Sequence, residues 1–112
     1  LIVPKMIARK WGRVIAIASG VATKPQTTMP GYSATKVANV NLAVSLAHAL
    51  AGTGVTSNAV SPGIIMTDGL DAMFDQMGVP KDQREATANG FAPSPVGRPG
   101  QPEEIADAVV FL

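Results

Sequence analysis

Two short apolar runs separated by one long helical stretch constrain this chain more than anything else in it. Arg13 to Ser19 (RVIAIAS) is apolar on both alternating faces and is bounded by Gly12 and Gly20. A strand that is apolar on both faces has to be covered on both, as in the parallel sheets of α/β proteins. Val55 to Val60 (VTSNAV) reads as a second, more polar strand. Between them, Gly31 to Leu50 reads as one long helix ended by Gly52 and Gly54. Val37, Val40, Val44, Leu42, Leu46 and Leu50 make it apolar round much of its circumference, with small alanines between them. Such a helix is expected to be buried, against the sheet on one side and against a second subunit on another. Helix, strand, helix, strand, helix is the rhythm of an open, doubly wound parallel sheet, so the expected fold class is α/β. Ligands of such sheets bind beyond the carboxyl ends of the strands. Ser19 and the pair Pro62-Gly63 both follow such ends.

The flanking segments fit this frame. Leu1 to Trp11 reads as the end of an amphipathic helix, with Lys5, Arg9 and Lys10 where cations suit the dipole, stopped by Gly12. Gly20 to Pro30 is a loop by composition. From about Asp68 to Gly100 the texture changes: glycines recur, prolines cluster after position 92, and Met73, Phe74 and Met77 share a short amphipathic stretch. Short helices joined by loops are expected there, forming a lid over a site. Met66, Met73, Phe74 and Met77 suggest an apolar substrate wall. Pro102-Glu-Glu opens a final helix, with proline at its first position and acids in its first turn.

The chemistry concentrates in Tyr32-Ser-Ala-Thr-Lys36, with Ser19 thirteen residues upstream of the tyrosine. Residues four apart on a helix share a face, so the Lys36 ammonium is expected beside the Tyr32 phenol. A neighbouring cation favours the phenolate, which makes the phenol a general acid/base for a carbonyl–alcohol pair. Ser19 could hydrogen-bond the same substrate oxygen.

Composition narrows the alternatives. Apolar residues make up 46% of the 112, and the mean hydropathy is positive, which suits a buried globular segment. A net charge of +1, with acids and bases mixed along the chain, leaves no footprint for nucleic acid or an anionic membrane. There is no cysteine and a single histidine, His48, so neither a disulfide nor a metal site is expected. No apolar run is long enough for a membrane span, and a cytoplasmic setting is the default. The chain opens on Leu1 without an initiator Met and closes in helical pattern at Leu112, so it is expected to be an interior piece of a longer protein.

Four ordered motifs together resemble the short-chain dehydrogenase/reductases, in the style of 3-oxoacyl-[acyl-carrier-protein] reductases. They are Gly12-Arg-Val-Ile-Ala-Ile-Ala-Ser19, Tyr32-Ser-Ala-Thr-Lys36, Asn58-Ala-Val-Ser-Pro-Gly63 with Thr67, and Val96-Gly-Arg-Pro-Gly-Gln-Pro-Glu-Glu-Ile105. The resemblance implies a Rossmann-type sheet, NAD or NADP as cofactor, a small carbonyl or alcohol substrate, and a homo-oligomer, tetramer or dimer. It implies Tyr32 as acid/base, Lys36 as its partner and as a ligand of the nicotinamide ribose, and Ser19 as the residue orienting the substrate oxygen. Pro62 and Gly63 match the turn that passes the nicotinamide. The Ile65 backbone and the Thr67 hydroxyl match the groups that hold its carboxamide. The chain then reads, over 1–112, as the C-terminal catalytic part of one Rossmann-fold domain, with about 67–100 as the lid. The family's glycine-rich first turn and its NAD/NADP selector are not in this sequence, and Ser57 stands at a usual apolar strand position. Two other readings follow: a truncated, non-catalytic piece, or a non-redox isomerase or regulator on the same fold.

Overall fold

The computed structural model describes all residues from Leu1 to Leu112. They form two compact units, Leu1–Ser61 with Leu112, and Pro62–Phe111.

The first unit holds α1 (Val3–Ala8), β1 (Gly12–Ile17), a 3-10 turn at Gly20–Ala22, α2 (Pro30–Ala49) and β2 (Val55–Val60). The strands pair in parallel, in register from Gly12 opposite Val55 to Ile17 opposite Val60. The Ala18 N–H extends the ladder to the Val60 carbonyl at 2.7 Å. Parallel neighbours need a crossover, and α2 supplies it. Proline at its first position suits the fixed φ and missing N–H of that ring. The helix packs on both strands, and Ala18, Ala43, Leu50 and Val55 form the buried apolar centre.

The connection from α2 to β2 is tightly fixed. Thr53 donates its hydroxyl to the Leu50 carbonyl at 2.6 Å and accepts the Val55 N–H at 3.3 Å. Gly54 has φ +80°, and a Cβ there would stand 2.1 Å from the Lys10 carbonyl oxygen. The position therefore requires glycine both for its dihedral and for its clearance.

Two expectations need correction. The first helix stops at Ala8, not at Trp11, and Gly12 already belongs to β1. Lys10 makes the stop, at φ 54°. The Arg9 and Arg13 guanidinium groups lie 5.6 and 5.5 Å from the Trp11 ring, and Arg9 Nε donates to the Trp11 carbonyl at 2.9 Å. These contacts fix the tight connection that the lysine completes. Next, β1 ends at Ile17 rather than Ser19; Arg13 and Ile17 are exposed and the residues between them half-buried. Within this chain α2 buries Ser33 and Ala43, while Val37, Leu42 and Val44 are exposed. A two-stranded sheet is too narrow to cover a helix that is apolar all round.

The second unit holds α3 (Asp68–Met77), a 3-10 turn at Lys81–Gln83, α4 (Arg84–Phe91) and α5 (Pro102–Phe111), the short helices and loops expected there. Thr67 caps α3, its hydroxyl accepting the Leu70 N–H at 3.2 Å, and Asp68 and Asp71 suit the positive end of the dipole. Gly78, left-handed at φ 69°, closes it, and the Val79 N–H returns to the Phe74 carbonyl at 2.9 Å. An isolated parallel bridge joins Ile65 to Gly100. Before α5, the Arg98 guanidinium forks onto Glu104 at 2.9 and 2.7 Å, and Glu104 also accepts the Gln101 N–H at 2.7 Å. Arg98 first, and the Gln101 N–H second, hold the Glu104 carboxyl down to about 2 from its ordinary 4.5.

Two outcomes follow. Gly54→Ala lowers the urea midpoint more than Gly52→Ala does. Both place a side chain at positive φ, at a cost of about 1–2 kcal/mol, but only Gly54 meets backbone, while Gly52 faces open space. Equal midpoints would contradict the close approach. For Glu104, the folded group ionises more readily than the unfolded one. Its contribution is therefore complete above pH 4.5 and is lost as pH falls towards 2. Urea titrations from pH 7 to 2 should show Glu104→Gln losing less stability across that window than the unaltered chain. Parallel curves would contradict the ion pair.

Candidate active site

Polar groups in the first unit gather where β1 ends. The strand's last residue, Ile17, exposes its carbonyl beyond the ladder, and Ser19 follows two residues later in an extended conformation. The Ser19 hydroxyl accepts the Val21 N–H at 3.4 Å, capping the turn Gly20–Ala22. That bond uses a lone pair and leaves the hydroxyl proton free to donate. A crossover helix runs back against the strands, so α2 begins at this edge of the sheet. Tyr32 and Lys36 occupy its first two turns.

Lys36 joins the elements. Its Nζ donates to the Ile17 carbonyl at 3.1 Å and stands 5.4 Å from the centre of the Tyr32 ring. The ammonium has three donors, of which this contact uses one. Tyr32 is 48% exposed and its hydroxyl makes no hydrogen bond within the chain. The structure thus brings Lys36 against Tyr32, as the four-residue spacing predicts, and sets both at the strand end that precedes Ser19. Ser19 and Tyr32 share no hydrogen bond.

The remaining sequence candidates open the second unit. Pro62 and Gly63 follow β2, and Gly63 has open space around its α-carbon. The bridge to Gly100 uses the Met66 N–H and the Ile64 carbonyl, each at 2.9 Å. In a parallel bridge the central residue's own peptide groups point the other way, so Ile65 keeps its N–H and carbonyl for another partner. Thr67 Oγ1 is engaged as an acceptor by Leu70, which leaves its proton free.

One member of the expected apolar wall is displaced. Phe74 is fully buried, its ring 6.0 Å from that of Phe91, so it belongs to the core of its unit. Met73 and Met77, one turn apart on α3, stay exposed. Two groups escaped the sequence reading, one at the strand end and one that fastens the second unit internally. The Ile17 carbonyl is a backbone group, and no residue type announces it. Arg84 carries no motif; its sole signal is a basic residue one helix away from Asp71 and Asp75, which are themselves one turn apart.

With this geometry in place, residues 1–78 match the family described as short chain dehydrogenase, and the chain belongs to that family. It is 40% identical over 107 residues to the 3-oxoacyl-[acyl-carrier-protein] reductase of Vibrio harveyi, covering 96% of this chain and 40% of that protein. Nodulation protein G of Azospirillum brasilense is 39% identical over 109 residues, covering 97% and 41%. Among solved structures, a 3-oxoacyl (acyl-carrier-protein) reductase from Agrobacterium tumefaciens C58, with NADP bound, superposes with a TM-score of 0.81 at 37% identity, covering 97% of this chain and 40% of that one. The L-sorbose reductase of Gluconobacter frateurii, complexed with NADPH and L-sorbose, gives a TM-score of 0.84 at 29% identity, covering 98% and 43%. The chain therefore spans about 40% of the length of the curated relatives it matches. Its two parallel strands and flanking helices are part of a Rossmann-type α/β sheet. No helix is long and apolar enough to cross a membrane.

Proposed function

We propose that this chain is the catalytic part, C-terminal in the fold, of a single Rossmann-type dehydrogenase domain. On this reading the protein moves a hydride between NAD(P)(H) and a small carbonyl or alcohol substrate, and residues 67–100 cap that substrate. The observation that carries the reading is the Lys36 ammonium, placed between the Tyr32 ring and the Ile17 carbonyl.

The residues present fit the nicotinamide end of the cofactor. Lys36 retains two N–H donors for a ribose diol, Ile65 retains an amide N–H and carbonyl for a carboxamide, and Thr67 retains a hydroxyl proton. Pro62 and Gly63 would form the turn beside the ring, Gly63 having no side chain to obstruct it. Relatives of this chain have been solved with NADP or NADPH bound. When bound, the cofactor supplies or accepts the hydride at the substrate carbon.

The chain's own residues handle the oxygen. Ser19 donates its free hydroxyl proton in a hydrogen bond to the substrate oxygen and orients the carbonyl. Tyr32 transfers its phenolic proton to that oxygen as the carbon gains hydride, so that a carbonyl becomes an alcohol. Lys36 offsets the charge left on the phenolate. In the reverse direction the phenolate removes the alcohol proton. The exposed Met73 and Met77 would offer the substrate an apolar surface. The exposed Val37, Leu42 and Val44 of α2 fit pairing with a second copy in a homo-oligomer.

Replacing Tyr32 by Phe in the protein that carries this chain removes the proton and keeps the ring. Carbonyl reduction should fall by roughly 10²–10⁴-fold, while NADPH binding, read by quenching or calorimetry, persists. Unaltered turnover would take Tyr32 out of the mechanism.

A further inference from the structure

We propose that Arg84 is a positioning residue: it locks α3 and α4 into one rigid hairpin, so that the segment from Thr67 to Phe91 moves as a single body on a pinned neck. The proposal rests on the reading of residues 67–100 as the substrate cap.

The neck is fixed by backbone. The Ile65–Gly100 bridge brings the two ends of the cap together through the Met66 N–H to Gly100 carbonyl bond and the Gly100 N–H to Ile64 carbonyl bond, both 2.9 Å. Arg98 and Glu104 fasten the chain just beyond it.

The body is fixed by one side chain. Arg84, the first residue of α4, is 7% exposed. Its Nη1 donates to Asp71 at 3.1 Å, its Nη2 to Asp75, and its Nε to the Val79 carbonyl at 3.3 Å. Asp71 and Asp75 lie one turn apart on α3, a like-charge pair that destabilises a helix unless a cation stands between them. Separating the helices would leave a guanidinium and two carboxylates without partners. The Arg84 side chain is 9% exposed while those of Asp71 and Asp75 are 48% and 69% exposed, so losing an acceptor leaves a largely buried guanidinium short of a partner, which favours the closed hairpin. The Phe74–Phe91 contact ties the same two helices a second time.

Between body and neck, Ala92 to Gly97 makes mainly short-range bonds: Ser94 N–H to Asn89 Oδ1 at 3.1 Å, Val96 N–H to Ser94 Oγ at 3.3 Å and Gly97 N–H to Ser94 carbonyl at 2.9 Å. Gly97 takes φ +83°. This connector can turn without disturbing either the clamp or the bridge.

Amide hydrogen exchange tests the clamp without requiring turnover. In the unaltered chain, α3 and α4 amides should exchange through one shared opening, with the same denaturant dependence. Asp75→Asn changes an exposed carboxylate; it should speed exchange about two- to fivefold in both helices and leave β1 and β2 unaffected. Arg84→Met should uncouple the helices, with α4 exchanging ahead of α3, and Arg84→Lys, a cation without the fork, should restore part of the protection. Separate openings in the unaltered chain, or unchanged exchange in Asp75→Asn, would overturn the clamp. In the dehydrogenase that carries this chain, Asp75→Asn should raise KM several-fold more than it lowers kcat. Coupled exchange with an unmoved KM would overturn the positioning role, and would leave the proton chemistry, read separately by Tyr32→Phe, standing.

Discussion

The hydrogen bond from Lys36 Nζ to the Ile17 carbonyl is the contact on which the rest of this site depends. Parallel pairing forces a crossover, the crossover puts the first turns of α2 at the carboxyl edge of β1, and there the ladder leaves a strand-end carbonyl without a strand partner. An ammonium that satisfies this carbonyl fixes the rotation of α2 about its own axis. Tyr32, one turn earlier, is thereby held beside the same cation. A longer or shorter side chain at position 36 would leave the sheet intact but free the phenol from its partner.

The second unit is held together differently. Its fully buried apolar groups are few, Phe74, Ala88 and Pro99. Polar fastenings do the rest: the Thr67 cap, the Arg84 fork and the Arg98–Glu104 pair. Such contacts are directional, so they specify one arrangement of short helices where a small apolar core would allow several. Exposed ion pairs contribute little stability each, and a unit built this way opens at lower cost than a packed sheet.

The sequence was most informative where periodicity and punctuation agreed. β2 was legible to the residue, because Gly54 and Ser61-Pro62 bound a clean six-residue run. α2 was legible to within one residue at each end, between Pro30 and the glycines at 52 and 54. The Tyr32–Lys36 contact followed from helical spacing alone. The end of α1 was not legible, because a lysine at positive φ, held beside a stacked Trp11, breaks the rule that glycine makes such stops. The burial of Phe74 was not legible either: an aromatic beside two methionines at helical spacing reads equally as wall or as core, and only the position of Phe91 decides.

On the proposed reading, this chain holds a substrate oxygen beside Tyr32 while a hydride moves at the adjacent carbon. The most direct test incubates the protein that carries it with a panel of small ketones and with NADPH deuterated at either face of C4, and reads the alcohol product by mass spectrometry. Deuterium is expected at the carbinol carbon from one face only, with the oxygen-bound proton drawn from the protein and solvent. Alcohol formed without label from either face would contradict it.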